Sequence, residues 1–129
     1  LEALAGVVEQ PAGLHHNLND AFNRINDHYF SGTLPRPRLT WGATFTQRKY
    51  GHYEPIRDTV MISASLDSEK VPSFVVDFVL YHELLHKKLG ITWRRGRKRV
   101  HTPQFIQQER SFEQYNEAEA FLEQLSQDD

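Results

Sequence analysis

The chain has no cysteine among its 129 residues. That excludes disulfides and thiolate metal sites, so any zinc here must be held by histidine or carboxylate side chains. It also fits a reducing compartment. No apolar run approaches the roughly 20 residues that span a bilayer. Leu1 to Val8 is too short and carries no basic residue, so it does not read as a signal peptide. Neither charge sign dominates: 15 basic residues against 17 acidic ones give a net charge of -2, so the chain as a whole is no polycation. Repeats and low-complexity segments are also missing. The expectation is a cytoplasmic monomer with nucleoid or nuclear association open to it, and a single domain over residues 1–129 whose first part, 1–13, is flexible. The sequence starts on Leu rather than Met, which fits a piece of a longer protein.

What is present is His82-Glu83-Leu84-Leu85-His86. On a helix, residues four apart share a face, so two imidazoles at this spacing can hold one ion. Glu83 reaches the same side and reads as a general base toward water activated there. A surface helix with two solvated histidines would give the same letters, but the flanks argue otherwise. Phe74 to Tyr81 and Leu84, Leu85 and Leu89 are apolar around most of the helix, the mark of a buried one. Buried polar groups need partners, and a metal supplies one. Zn2+, one catalytic ion, is the expected cofactor.

The remaining pattern predicts an α+β domain. Leu14, Leu18, Phe22, Ile25 and Tyr29 mark an amphipathic helix over about residues 14–30. Residues 38–46, 50–56 and 59–63 read as strands of a small antiparallel three-stranded sheet, with turns at 47–49 and 57–58. Pro72 opens the motif helix and Gly90 stops it. Residues 91–100 read as irregular. Thr102-Pro103 starts a long C-terminal helix whose face is Phe105, Phe112, Tyr115, Ala118, Leu122 and Leu125.

A catalytic zinc keeps three protein ligands and one open position. His101, just before a helix start, is the leading third ligand. A glutamate of the last helix (Glu113, Glu117 or Glu119) is the rival, since His-His-Glu sites exist. Asp77 or Glu119 are candidate partners for the imidazole N–H groups. Tyr50, His52, Tyr53 and the arginines after the motif are candidates for stabilising a transition state. The strand 59–63 is the candidate edge for an extended substrate. His15, His16 and His28 read as solvated.

The chain resembles the SprT-like (Spartan-like) family of zinc metalloproteases. The matching pieces are Asn26-Asp27-His28-Tyr29-Phe30-Ser31-Gly32-Thr33-Leu34-Pro35, Leu39-Thr40-Trp41, Gly51-His52-Tyr53, Ile62-Ser63 leading to Leu66, Tyr81 to His86, and His101-Thr102-Pro103-Gln104-Phe105. The resemblance implies a compact zincin with the H-E-x-x-H helix at its centre, His82, His86 and His101 as metal ligands, Glu83 as catalytic base, and a role in repairing DNA–protein crosslinks. Thr102 stands where that family often has glycine. The cysteine-rich zinc ribbon that many relatives carry has no counterpart here.

Charge is sorted along the second half. From Lys87 to His101 there are seven bases and no acid, and from Glu109 onward seven acids and one base. Trp93, Arg94, Arg95, Arg97, Lys98 and Arg99 form a candidate nucleic-acid surface, the bases for phosphate and the indole for stacking. A solvated loop balanced by an acidic helix would give the same pattern. Two classes of function follow: a zinc metallopeptidase acting on proteins, with DNA bound by connector 87–101, or a zinc-containing nucleic-acid- or protein-binding module without proteolysis.

Overall fold

Asn17 caps the first helix, its side-chain oxygen accepting from the backbone N–H of Asn19 at 2.8 Å and of Asp20 at 3.3 Å. Helix α1 therefore begins at Leu18 and runs Leu18–Tyr29, burying Leu18, Ala21, Phe22 and Ile25. Leu14, expected on this face, lies before the helix and is 90% exposed. In this computed structural model, residues 9–43 and 49–128 are described. Residues 44–46 of the expected first strand and 47 and 48 of the expected turn at 47–49 lie outside them.

Three strands follow: β1 (Arg38–Gly42), β2 (Gly51–Glu54) and β3 (Thr59–Ser63). The sheet is mixed, with order β1-β3-β2, β1 parallel to β3 and β2 antiparallel to it. This corrects the antiparallel reading. β3 buries four of its five residues, so it takes the centre. The short turn at 55–58 keeps β2 beside β3. β2 stops at Glu54, leaving Ile56 exposed in the turn.

Of residues 1–13, expected to be flexible, 1–8 lie outside the described residues, and 9–11 run along β1. The Trp41 N–H donates to Gln10 O at 3.1 Å, the Trp41 indole N–H to Pro11 O at 3.0 Å, and the Leu39 N–H to Glu9 Oε1 at 2.9 Å.

Helix α2 (Ser73–Leu89) is apolar on most sides and buries nine residues, from Val75 to Leu85. It packs between α1 and the sheet, as a helix without a polar face must. Arg24 of α1 grips Asp77 through two N–H donors at 3.0 and 2.8 Å, and Lys87 reaches Asp58 of the β2–β3 turn at 2.9 Å. Gly90 caps α2 through a 2.9 Å bond from its N–H to His86 O.

The segment expected to be irregular contains a hairpin, β4 (Thr92–Arg94) and β5 (Arg97–Arg99). Its turn residues Arg95 and Gly96 both have positive φ, 53° and 75°, the requirement of a type I′ connection and the reason for glycine there.

The expected long C-terminal helix is two helices, α3 (Pro103–Arg110) and α4 (Tyr115–Gln127). At the break the Ser111 hydroxyl donates to Gln108 O at 2.6 Å, an alternative to the helical ladder. Phe112 packs into a cluster with Tyr29, Phe78 and Tyr81, and the Glu113 N–H donates to the Tyr29 hydroxyl at 3.0 Å. Among the described residues, no helix is long and apolar enough to cross a membrane.

Candidate metal centre

His82 and His86 stand one turn apart on α2, and their rings meet at 4.9 Å between centroids. His101, just before the α3 cap, brings its ring to 5.3 Å from His82 and 4.9 Å from His86. One nitrogen from each ring lies within 4.8 Å of the others. Phe105 is fully buried beneath them, its ring 5.0, 4.5 and 4.9 Å from those of His82, His86 and His101. Thr102 caps α3, its hydroxyl oxygen accepting from the Phe105 N–H at 3.2 Å. With φ at -73°, position 102 has no need of glycine.

The donor set fits a divalent ion. Nε2 of His86 and Nε2 of His101 are 3.2 Å apart. Two imidazole nitrogens on a tetrahedral zinc, at roughly 2.0–2.1 Å each, would stand about 3.3–3.4 Å apart. Burial, reinforced by the neighbouring His82 and His101, pushes His86 down to about 4. Burial and His82 likewise lower His101. Both rings therefore keep free lone pairs at neutral pH. His82 differs. Burial opposes its charged form, but the hydrogen bond to Glu109 and the charges of Glu83, Glu109 and Glu119 outweigh burial and raise it.

Glu83 is buried and faces the same cleft, a cavity of about 740 Å³. Burial lifts its carboxyl to about 7, against the lowering influence of His82 and Lys49. Gly51 of β2 leaves the room it needs: a Cβ there would come within 2.9 Å of Glu83 Oε2 and 3.1 Å of Val79 Cγ1.

The other candidates scatter. Asp77 pairs with Arg24 and not with an imidazole. Glu113 pairs with His28 at 2.5 Å, Glu117 is exposed, and Glu119 lines the cleft outside the three-histidine cluster. The carboxylate on His82 is Glu109, whose Oε2 meets His82 Nδ1. Glu109 is not among the acids expected from the sequence, which are Asp77, Glu113, Glu117 and Glu119. The signal was the Thr102 start, which sets Phe105 and Glu109 four apart on one face of α3.

Tyr50, His52 and Tyr53 line the cleft, but the Tyr53 hydroxyl donates to Asp58 Oδ1 at 2.8 Å. The strand edge beside the cleft belongs to β2, with β3 central. His15 is exposed, and His16 is half-buried with Nε2 3.0 Å from Ser68 O.

The hairpin register pairs Trp93 with Lys98, and Thr92 and Arg94 with Arg99 and Arg97. Trp93 and Lys98 therefore share one face, and Arg94, Arg97 and Arg99 share the other. Lys98 lines the cleft, and the arginines are not part of its wall. Trp93 is 70% exposed. The residues read from sequence as one nucleic-acid surface thus divide between two faces, with Arg95 at the turn.

Neither a scan against protein-family models nor searches of curated proteins and of solved structures found a match to this chain.

Proposed function

We propose that this protein is a zinc-dependent metallopeptidase of the SprT-like kind, hydrolysing peptide bonds in proteins associated with or crosslinked to DNA. The observation that carries this reading is the meeting of three imidazoles and one buried carboxylate in a single cleft, from helix α2 and the segment before α3. His82, His86 and His101 would hold the ion. When bound, zinc supplies a Lewis acid that polarises a carbonyl and lowers the pKa of water to about 7. The chain's own groups supply the rest. Glu83 accepts a proton and later returns it to the leaving amine. The edge of β2 receives an extended peptide by main-chain hydrogen bonds. Phe78, Val79 and Leu122 line the cleft with apolar surface for substrate side chains.

The test is Glu83→Gln, assayed on a fluorogenic unfolded protein with zinc present. The variant is expected to bind zinc like the parent and to lose about 100- to 10,000-fold in hydrolysis. Cleavage at the parental rate, or parental activity that survives a chelator, would overturn the proposal.

The arginine face of the hairpin favours a polyanionic partner, and nucleic acid is the reading we attach to it. Arg94, Arg97 and Arg99 would then grip backbone phosphates beside the cleft, leaving the cleft to protein. Affinity for single-stranded DNA should fall steeply with salt, and replacing the three arginines with alanine should reduce the log–log slope by about 2. Salt-independent binding removes this partner. The same face supports the second reading, a zinc-containing binding module without proteolysis. A parent that binds zinc and DNA yet cuts no protein would establish it.

A further inference from the structure

We propose that Glu109 is a positioning residue that fixes the tautomer of His82 and so decides which of its nitrogens is offered to the metal. The inference rests on the metalloenzyme reading above and deepens it. A neutral imidazole has one N–H and one lone pair, and only the lone pair can bind an ion. Nδ1 of His82 faces Glu109 Oε2. An ionised carboxylate only accepts, so the proton sits on Nδ1 and the lone pair on Nε2. The pair is shielded, with side-chain exposures of 27% for His82 and 16% for Glu109.

A second histidine–carboxylate pair in the same molecule shows what this one is not. His28 and Glu113 also meet, four residues further along, but at exposures of 55% and 69% and away from the three-histidine cluster. There the contact is screened by water and adjoins no candidate ligand.

Helix α3 makes the Glu109 contact specific. Its cap at Thr102 sets the helix phase, Phe105 supports all three rings, and Glu109 follows one turn later on the same face. His101 just before the cap and the short helix that follows thus supply a third ring, the floor beneath the rings, and the group that orients His82.

The experiment compares Glu109→Ala and Glu109→Gln with Glu113→Gln as control, each checked for folding by circular dichroism. Zinc affinity is read by competition with a chromophoric chelator. The His82 tautomer is read from long-range 1H–15N spectra of the metal-free protein at alkaline pH, where the rings are neutral. The parent should show the proton on Nδ1. Glu109→Ala should lose that preference and about 10- to 100-fold in zinc affinity. Glu109→Gln, which can still accept through its carbonyl, should keep the tautomer with a smaller loss, and the control should match the parent. A parental His82 protonated on Nε2, or unchanged affinity in Glu109→Ala, overturns the proposal. A parent with no zinc affinity would strike the metalloenzyme reading instead, and the tautomer of the metal-free chain would still decide the role of Glu109.

Discussion

On one side of the cleft, Val79 and Glu83 of α2 and Gly51 of β2 belong to the buried body that holds α1 and the sheet. On the other, every residue from Ile91 to Arg99 is exposed. That second wall is fastened by the buried Phe105, by Glu109 on His82, and by the Tyr81 hydroxyl, which donates to Gln108 O at 2.7 Å. Two of the three imidazoles sit on the firm wall and the third on the lightly held one. An ion at this site would therefore be a fastener as well as a reagent. Binding energy gained by joining His101 to His82 and His86 becomes folding free energy for the second wall.

Replacing Phe105 with alanine should break the comparison most severely. It removes a fully buried ring, and a loss of about 3–5 kcal/mol is expected in denaturant titration. His101→Ala separates the two contributions. His101 is exposed, so the metal-free protein should keep its stability to within about 0.5 kcal/mol. Zinc at about 100 times its dissociation constant should stabilise the parent by about 2.7 kcal/mol and this variant far less. Equal zinc stabilisation of both would show that His101 is no ligand.

Gly51→Ala probes the firm wall. The added Cβ would come within 2.9 Å of Glu83 Oε2 and 3.1 Å of Glu83 Cγ and Val79 Cγ1, so the carboxylate should shift and the neighbouring side chains of α2 must give with it. Hydrolysis should fall about 10- to 100-fold, with about 1–3 kcal/mol of stability lost to overpacking. A variant with parental kinetics would show that the placement of Glu83 is not set by this contact.

Asp67 sits outside both walls and sharpens the comparison from a distance. Burial would raise its carboxyl, but the backbone N–H groups of His15, Leu14 and His16 outweigh that and hold it below the ordinary range. Its contribution to stability is therefore complete above the usual aspartate value of about 3.9 and fades as pH falls through the lower, folded-state value. Asp67→Asn should cost about 1 kcal/mol or less at neutral pH, since solvent screens the site. It should also flatten the acid limb of the stability curve and leave zinc affinity unchanged. A shifted zinc affinity would mean that the body and the cleft are coupled.

The helix that carries His82, Glu83 and His86 was legible because a four-residue spacing inside an apolar run has one geometric meaning. His101 was legible as a candidate because Thr102-Pro103 announces a helix start beside it. The strand order was not. Alternation of apolar residues tells which face of a strand is buried, not which strand lies next to which. The break between α3 and α4 was hidden because Phe105, Phe112, Tyr115 and Ala118 keep helical phase across it, while its cause, the packing of Phe112 against Tyr29 and Tyr81, is tertiary. Glu109 was missed for a related reason: an acid on a helix reads as solvated until the helix it faces is known.

The two margins of the sheet differ, and the difference has a consequence for concentrated solutions. Residues 9–11 seal the outer side of β1, whereas among the described residues no strand adds to the far side of β2. A strand added to the sheet from outside would therefore join at β2, beside Gly51 and the Glu83 side chain it faces. A second copy of the chain joining at that margin would stand in the way of any peptide bound there.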